Sequence, residues 1–303
     1  MTQQQDSARA GIMYGLGAYL IWGCLPVFFK LLADVAPAEL VAQRVIWSVL
    51  FLAVLVVIKR RVGEIRAAFA NPRAILILMC TALLIGANWL IYVWAVVNHH
   101  VLESSLGYFL NPLVNVAMGV LILKEKLGRA QMVAVALAGI GVTVLAIGAG
   151  SGLWISLSLA LSFAAYGLLR KIAPVDSLVG LSVETLLLCP LAIGYVAYLQ
   201  WGGQLAFGQD AGTSALLASA GVVTAVPLLL FAAAARLLPY AKLGLLQYLS
   251  PTLQFLLAVA VYGEPLTQAH LICFGFIWTG LVIFAASGLR DAHRRSVALR
   301  AAA

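Results

Sequence analysis

The chain has 303 residues, of which 63% are apolar and only 10% are charged, and this composition excludes a soluble globular domain. The formal net charge of +8 would suit a nucleic-acid partner, but the cations are scattered between apolar segments and form no single docking surface. We therefore predict no nucleic-acid binding and an integral membrane protein surrounded by the lipid bilayer.

Ten apolar segments follow one another along the chain, and each can cross a hydrocarbon core of ~30 Å as a helix of about 20 residues. A polar N-terminal tail (1–10) precedes them and a basic tail (288–303) follows them. Because the connections are short, we predict an all-α integral membrane protein with ten transmembrane helices and no soluble domain. The segments lie at 11–32, 37–58, 74–97, 101–123, 130–148, 151–170, 178–199, 213–236, 240–262 and 268–286.

The basic residues predict the orientation of these helices. Lys and Arg cluster after every second segment, whereas the other connections carry acidic residues such as Asp34, Glu103 and Asp210, with Lys30 as the exception. Cytoplasmic connections of membrane proteins carry an excess of Lys and Arg. The sequence therefore predicts that both termini are cytoplasmic.

The second half of the chain resembles the first at an offset of 139 residues. This offset predicts two five-helix repeats, at 11–148 and 149–287. Because five is odd, the second repeat would enter the membrane from the opposite side, as in many secondary transporters with a substrate site between inverted repeats. The alternative is chance similarity between apolar helices. The offset pairs Pro112 with Pro251, Asn111 with Ser250, Asn115 with Gln254 and Glu125 with Glu264.

Pro112 and Pro251 lie near the middle of their segments, about 16 Å from an end at 1.5 Å per residue. A proline cannot donate to the carbonyl four residues back, which frees the carbonyls of Tyr108 and Gln247 and bends the helix. We therefore predict hinges at both prolines. A free carbonyl within the membrane must face protein or a water-filled cavity.

Polar side chains share a helix face with each freed carbonyl. Asn111 and Asn115 follow Tyr108 at three- and four-residue spacing, and Ser250 and Gln254 follow Gln247 in the same way. Such faces are expected either to line a cavity or to hold neighbouring helices together by hydrogen bonds.

Arg44 and Glu184 are charged residues inside apolar segments, each about 10 Å from an end. Burying them costs a few kcal/mol, so they are functional candidates by default. We predict no ion pair between them, because their depths differ. The alternative for Arg44 is a structural pairing with Glu39 or Glu103.

Aromatic residues and amides in the first half predict an apolar pocket with a few polar groups, which suits a small amphipathic molecule. Asn88 and Tyr92 share a helix face, with Trp89 beside them, and Trp22 and Trp47 add aromatic surface. The cysteines show no paired spacing, so we predict no disulfide, metal site or cofactor. The absence of hydrolase or metalloprotease motifs argues against an enzyme.

Several strings identify a family by resemblance. NWLIYVWAVVNHHVLESSLGYFLNPLVNV, GVVTAVPLLLFAAAARLLP and LQYLSPTLQFLLAV closely resemble the RarD-type proteins of the EamA branch of the drug/metabolite transporter superfamily. The resemblance covers about residues 11–288. It implies two inverted EamA-type repeats and a permease of the bacterial inner membrane, commonly described as exporting metabolites or drugs. It implies no residue roles.

These observations predict a transporter that moves a small amphipathic metabolite or drug, by export, through alternating access at a cavity between the repeats. A lipid flippase or scramblase using the same groove is the alternative. The sequence leaves open the substrate, the coupling ion, and whether the protein is a monomer or a homodimer.

Overall fold

The computed structural model describes residues 2–98, 100–147, 153–261 and 268–301. These residues form twelve helices joined by short connections. The helices are α1 (Thr2–Lys30), α2 (Pro37–Ile58), α3 (Val62–Ala70), α4 (Pro72–Val97), α5 (Val101–Leu121), α6 (Arg129–Ile147), α7 (Leu153–Ile172), α8 (Ser177–Trp201), α9 (Ala211–Leu237), α10 (Tyr240–Gln247), α11 (Leu249–Ala260) and α12 (Gln268–Ala301).

The prediction of an all-helical membrane protein is confirmed. Seven helices, α1, α2, α4 and α6 to α9, are long and apolar enough to cross a membrane, and α5 and α12 contain shorter apolar stretches at Leu106–Leu121 and Leu271–Ser287. The count of ten transmembrane helices and the inverted repeats stay predictions.

The helix boundaries differ from the predicted segments in three places. α1 and α12 extend into the polar tails, because apolar windows do not detect the solvated ends of a helix. The basic connection after α2 contains the short helix α3, and the predicted segment 240–262 is divided into α10 and α11 at Tyr248. Glu264, paired with Glu125 by the offset, lies outside the described residues.

The helices of the two halves occupy matching places. α4, α5 and α6 begin 139 residues before α9, α10 and α12, as Pro72 and Ala211 illustrate. Their packing also matches: α1 contacts α9 as α7 contacts α4, and α2 contacts α9 as α8 contacts α4. Three helices pack on their own counterparts, namely α2 on α8, α5 on α10 and α6 on α12.

Polar contacts distinguish the two ends of the bundle. The connections with Arg61, Lys126, Lys171 and Arg236 lie together, and we call this the basic end. Here Arg61 pairs with Asp176, and Lys171 Nζ donates to the carbonyl oxygens of Ala235 (2.9 Å) and Leu238 (2.5 Å). Glu125 also joins two connections at this end.

At the other end, which we call the opposite end, the carboxylate of Glu39 accepts backbone hydrogen bonds from Ala206 and Phe207, all at 3.0 Å. Asp210 caps the N-terminus of α9 there by accepting from the Thr213 N–H at 2.9 Å. The hydrogen bonds from Thr213 lower the pKa of the Asp210 carboxyl. These contacts fix the long connection between α8 and α9.

The glycines at two helix crossings permit close backbone approach. A Cβ on Gly221 of α9 would lie 2.3 Å from the backbone carbonyl carbon of Trp47 in α2, and one on Gly244 of α10 would lie 2.9 Å from the Pro112 carbonyl oxygen in α5. The Ser48 hydroxyl donates to the Gly221 carbonyl at 3.0 Å, an interhelical bond that this approach allows.

Candidate functional site

A central cavity of about 240 Å³ lies between α1, α2, α4, α5, α7, α9 and the α10–α11 pair. Its wall combines aromatic rings, amides and one cation. Ten of the residues selected from the sequence line it, together with the predicted hinge residue Pro251: Trp22, Arg44, Asn88, Trp89, Tyr92, Tyr108, Asn111, Gln247, Ser250 and Gln254. Residues from both halves of the chain therefore meet at one cavity.

Arg44 provides the positive charge of this cavity. Its Nε donates to the Thr224 hydroxyl at 2.7 Å, and its Cζ lies 4.9 Å from the ring centroid of Trp89 and 5.4 Å from that of Phe29. Both ring contacts are cation–π interactions. No carboxylate in the described part of the chain forms an ion pair with Arg44, including the alternative partners Glu39 and Glu103.

The polar groups around Arg44 include an unused acceptor. Asn88 Nδ2 donates to the Leu159 carbonyl and the Ser162 hydroxyl, both at 2.9 Å, and Gln254 Nε2 donates to the Trp22 carbonyl at 3.0 Å. The Oδ1 atom of Asn111 is buried and has no hydrogen-bond partner among the described residues. A buried acceptor of this kind calls for a donor from water or a ligand.

Aromatic rings form the apolar part of the wall. Trp22 packs edge-on against Phe163 with their ring centroids 5.6 Å apart, and Tyr92 packs edge-on against Tyr108 at 6.0 Å. Because the cation and the amides lie among these rings, the cavity has the character of a site for a small amphipathic molecule.

Three selected residues and one predicted hinge residue do not line the cavity. Trp47 packs on Phe207, 5.7 Å between ring centroids, and donates to Gln43 Oε1 at 3.1 Å. Asn115, Glu184 and Pro112 also lie outside the lining. The helical spacing that selected Asn115 is correct, but this side chain lies one turn beyond the cavity, between α5 and α10.

Asn115 belongs to a closed layer between the cavity and the basic end. Its Nδ2 donates to Gln247 Oε1 at 2.5 Å, and the Tyr240 hydroxyl lies 2.9 Å from its Oδ1 and 2.7 Å from the Ala164 carbonyl. The Tyr19 hydroxyl donates to the Leu243 carbonyl at 3.2 Å. Asn115, Tyr19 and Tyr240 are fully buried, so this layer has no path for solvent.

Glu184 is paired with Arg170, a residue that the sequence analysis treated only as part of a basic connection. The Arg170 Nη1 to Glu184 Oε1 distance is 3.5 Å, the Thr81 hydroxyl donates to Oε1 at 2.5 Å, and the Tyr166 hydroxyl lies 3.4 Å from Oε2. Both charged side chains are 1% exposed. The predicted position of Glu184 beside the cavity is therefore wrong, because this buried pair holds it near the basic end.

The two prolines affect their helices differently. α5 is continuous through Pro112, whereas α10 ends at Gln247, whose carbonyl lies four residues before Pro251. After the break, the Thr252 N–H donates to the Tyr248 carbonyl at 3.1 Å. The helix is therefore interrupted in the second half only, at the place where Gln247, Ser250 and Gln254 enter the cavity wall.

The sequence analysis missed several residues of the site. Pro26, Phe29, Phe163 and Leu228 line the cavity, and Thr224 anchors Arg44. Pro26 and Phe29 could have been found, because they follow Trp22 at helical spacing. Phe163 and Thr224 carry no local signal, since helix packing alone brings them to the cavity.

Comparison with known proteins gives the chain a family. Residues 9–147 match the model of the EamA-like transporter family. The chain is 47% identical over 288 residues to an uncharacterized transporter of Pseudomonas aeruginosa, covering 94% of this chain and 96% of the relative. It is 44% identical over 289 residues to Protein RarD of Escherichia coli strain K12, with 95% and 98% covered.

A further relative is the chloramphenicol-sensitive protein RarD of Pseudomonas aeruginosa, 34% identical over 296 residues, with 95% of this chain and 98% of the relative covered. A crystal structure matches the fold with a TM-score of 0.70 at 18% identity, covering 93% of this chain and 98% of that chain. These relatives are membrane transporters by name, and none is named as an enzyme. The chain therefore belongs to the EamA-like transporter family, as a RarD-type, multi-pass membrane transporter.

Proposed function

We propose that this protein carries a small amphipathic molecule with an anionic group across the bacterial inner membrane, by alternating access at the central cavity. The observation that carries the proposal is Arg44, a cation in the cavity wall that pairs with no described carboxylate. A carboxylate on the solute would replace the missing partner, and charge-assisted hydrogen bonds are among the strongest available in such a site.

The rest of the wall suits the body of such a solute. Trp22, Trp89 and Phe163 offer apolar surface, and Asn111 Oδ1 offers an unused acceptor for a donor on the solute. A carboxylate, an apolar body and a hydrogen-bond donor describe an amphipathic metabolite or drug. The cavity of about 240 Å³ limits its size.

The proposed mechanism uses ten transmembrane helices in two inverted repeats, at 11–148 and 149–287. The matching helix starts and the matching helix contacts of the two halves support this arrangement. In the proposed orientation the termini and the basic end are cytoplasmic. The closed layer then separates the cavity from the cytoplasm, which is the arrangement expected of an exporter after it has turned outward.

A thermal-unfolding screen of the purified protein in neutral detergent tests this proposal. Each anionic compound is paired with its neutral amide, because a ligand that binds only the folded protein raises Tm with concentration. We expect dose-dependent shifts from some carboxylates and not from their amides, and loss of those shifts in Arg44→Gln. The control Trp47→Phe should keep them. Equal shifts from acids and amides would contradict the proposed role of Arg44.

A further inference from the structure

A second and larger concavity, which we call the lateral groove, opens on the side of the bundle near the basic end. Its volume is about 1410 Å³, and it shares no lining residue with the central cavity. α1 forms one wall with Ile12 and Leu16, and α12 forms the other with residues 281–287. The groove exists because α1 packs on α9 and α11 while α12 packs on α6, which leaves the space between them to α10 and α11.

The lateral groove changes in character along its length. Toward the middle of the bundle its lining is apolar, with Leu16, Leu249 and Leu281, and Val282 at the rim is 66% exposed. At the basic end the lining becomes charged, with Lys126, Arg129 and Lys242. An apolar channel that ends in cations matches a molecule with hydrocarbon chains and an anionic headgroup.

The charge of the lateral groove is positive even though Glu125 belongs to its lining. The two carboxylate oxygens of Glu125 accept the backbone N–H groups of Tyr240 (2.6 Å) and Ala241 (2.8 Å) at the start of α10. None of the three cations forms an ion pair with a carboxylate in the described ranges. The four charged lining residues therefore leave a net charge of +2.

We propose that the lateral groove is a binding site for an anionic phospholipid of the membrane leaflet at the basic end. The acyl chains would lie along α1, α11 and α12, and the phosphate would lie between Lys126, Arg129 and Lys242. Basic pockets between transmembrane helices bind anionic headgroups in this way. The site is separate from the transport cavity, so the proposal does not depend on the proposed substrate.

The test is a titration of the purified full-length protein in neutral detergent with phosphatidylglycerol or phosphatidylcholine, followed by thermal unfolding. With a net groove charge of +2, we expect half-maximal stabilisation at about 10-fold lower phosphatidylglycerol than phosphatidylcholine. The triple variant Lys126→Gln, Arg129→Gln and Lys242→Gln should reduce this preference to about twofold or less. Its Tm without added lipid reports separately whether it is folded.

A matched triple variant at the same end controls for net charge. Lys59→Gln, Arg66→Gln and Arg73→Gln removes three exposed cations outside the lateral groove and should keep the wild-type preference. Leu16→Trp, which narrows the apolar wall, should weaken binding of both lipids. Equal stabilisation by the two lipids, an unchanged preference in the groove triple, or full stabilisation by glycerol phosphate without acyl chains would each overturn the proposal.

Discussion

At the scale of single residues, the two intramembrane charges that stand out in the sequence have different surroundings. Arg44 lies at the cavity, bound to Thr224 and two aromatic rings and without a described carboxylate partner. Glu184 lies outside it, paired with Arg170. Sequence reasoning selected both correctly as unusual, but it could not separate them, because the depth of a charge does not reveal its partner on another helix.

The buried pair predicts an asymmetric response to substitution. Glu184→Gln leaves the Arg170 guanidinium buried without its counter-charge, which typically costs about 3–5 kcal/mol of folding free energy. The double variant Arg170→Met with Glu184→Gln removes both charges and should be less destabilised than Glu184→Gln alone. Chemical denaturation of the purified variants in detergent measures both effects. Additive losses would contradict an energetically coupled pair.

At the scale of helices, close crossings depend on glycine. Gly221→Ala would place a Cβ 2.3 Å from the Trp47 carbonyl carbon, so α2 and α9 must move apart. We expect a loss of about 1–3 kcal/mol in unfolding free energy. Gly194→Ala in α8 is the matched control, because no atom lies within 4 Å of the added Cβ, and alanine is the better helix former. Equal stability of the two variants would contradict a tight crossing.

The break between α10 and α11 predicts a second effect at this scale. Pro251→Ala restores a backbone N–H that can donate to the Gln247 carbonyl and continue the helix. The straightened helix would displace Ser250 and Gln254 from the cavity wall. We therefore expect a higher Tm but at least about a tenfold weaker thermal response to a bound solute.

Pro112→Ala is the control for this break, since α5 is already continuous through Pro112. It should change the response of the protein to solute less than Pro251→Ala does. Isothermal titration with a solute identified in the thermal screen gives the affinity of each variant. Wild-type affinity in Pro251→Ala would show that the break does not shape the site.

At the scale of the whole molecule, apolar length and composition predicted the helices closely, and α2 begins and ends where expected. The offset of 139 residues anticipated that α4, α5 and α6 begin in register with α9, α10 and α12. The cavity residues contributed by α4, α5 and α11 followed from helical spacing around Asn88, Asn111 and Gln254. Such patterns are local, so a single sequence is enough to detect them.

The parts of the site that were missed depend on contacts between distant helices. Thr224 meets Arg44 only because α9 crosses α2 closely at Gly221, and Arg170 meets Glu184 because α7 packs beside α8 near the basic end. The lateral groove likewise results from the packing of α1 and α12 on different neighbours. Spacing within one helix contains no information about these meetings.

The most direct test of the central claim is exchange of a radiolabelled solute, identified in the thermal screen, across proteoliposomes containing the wild type, Arg44→Gln or Trp47→Phe. A carrier should accumulate label against unlabelled solute inside the vesicles, with saturation and competition. We predict that Arg44→Gln abolishes this exchange at equal reconstitution, while Trp47→Phe keeps it. Wild-type exchange by Arg44→Gln would contradict transport of an anionic solute through the central cavity.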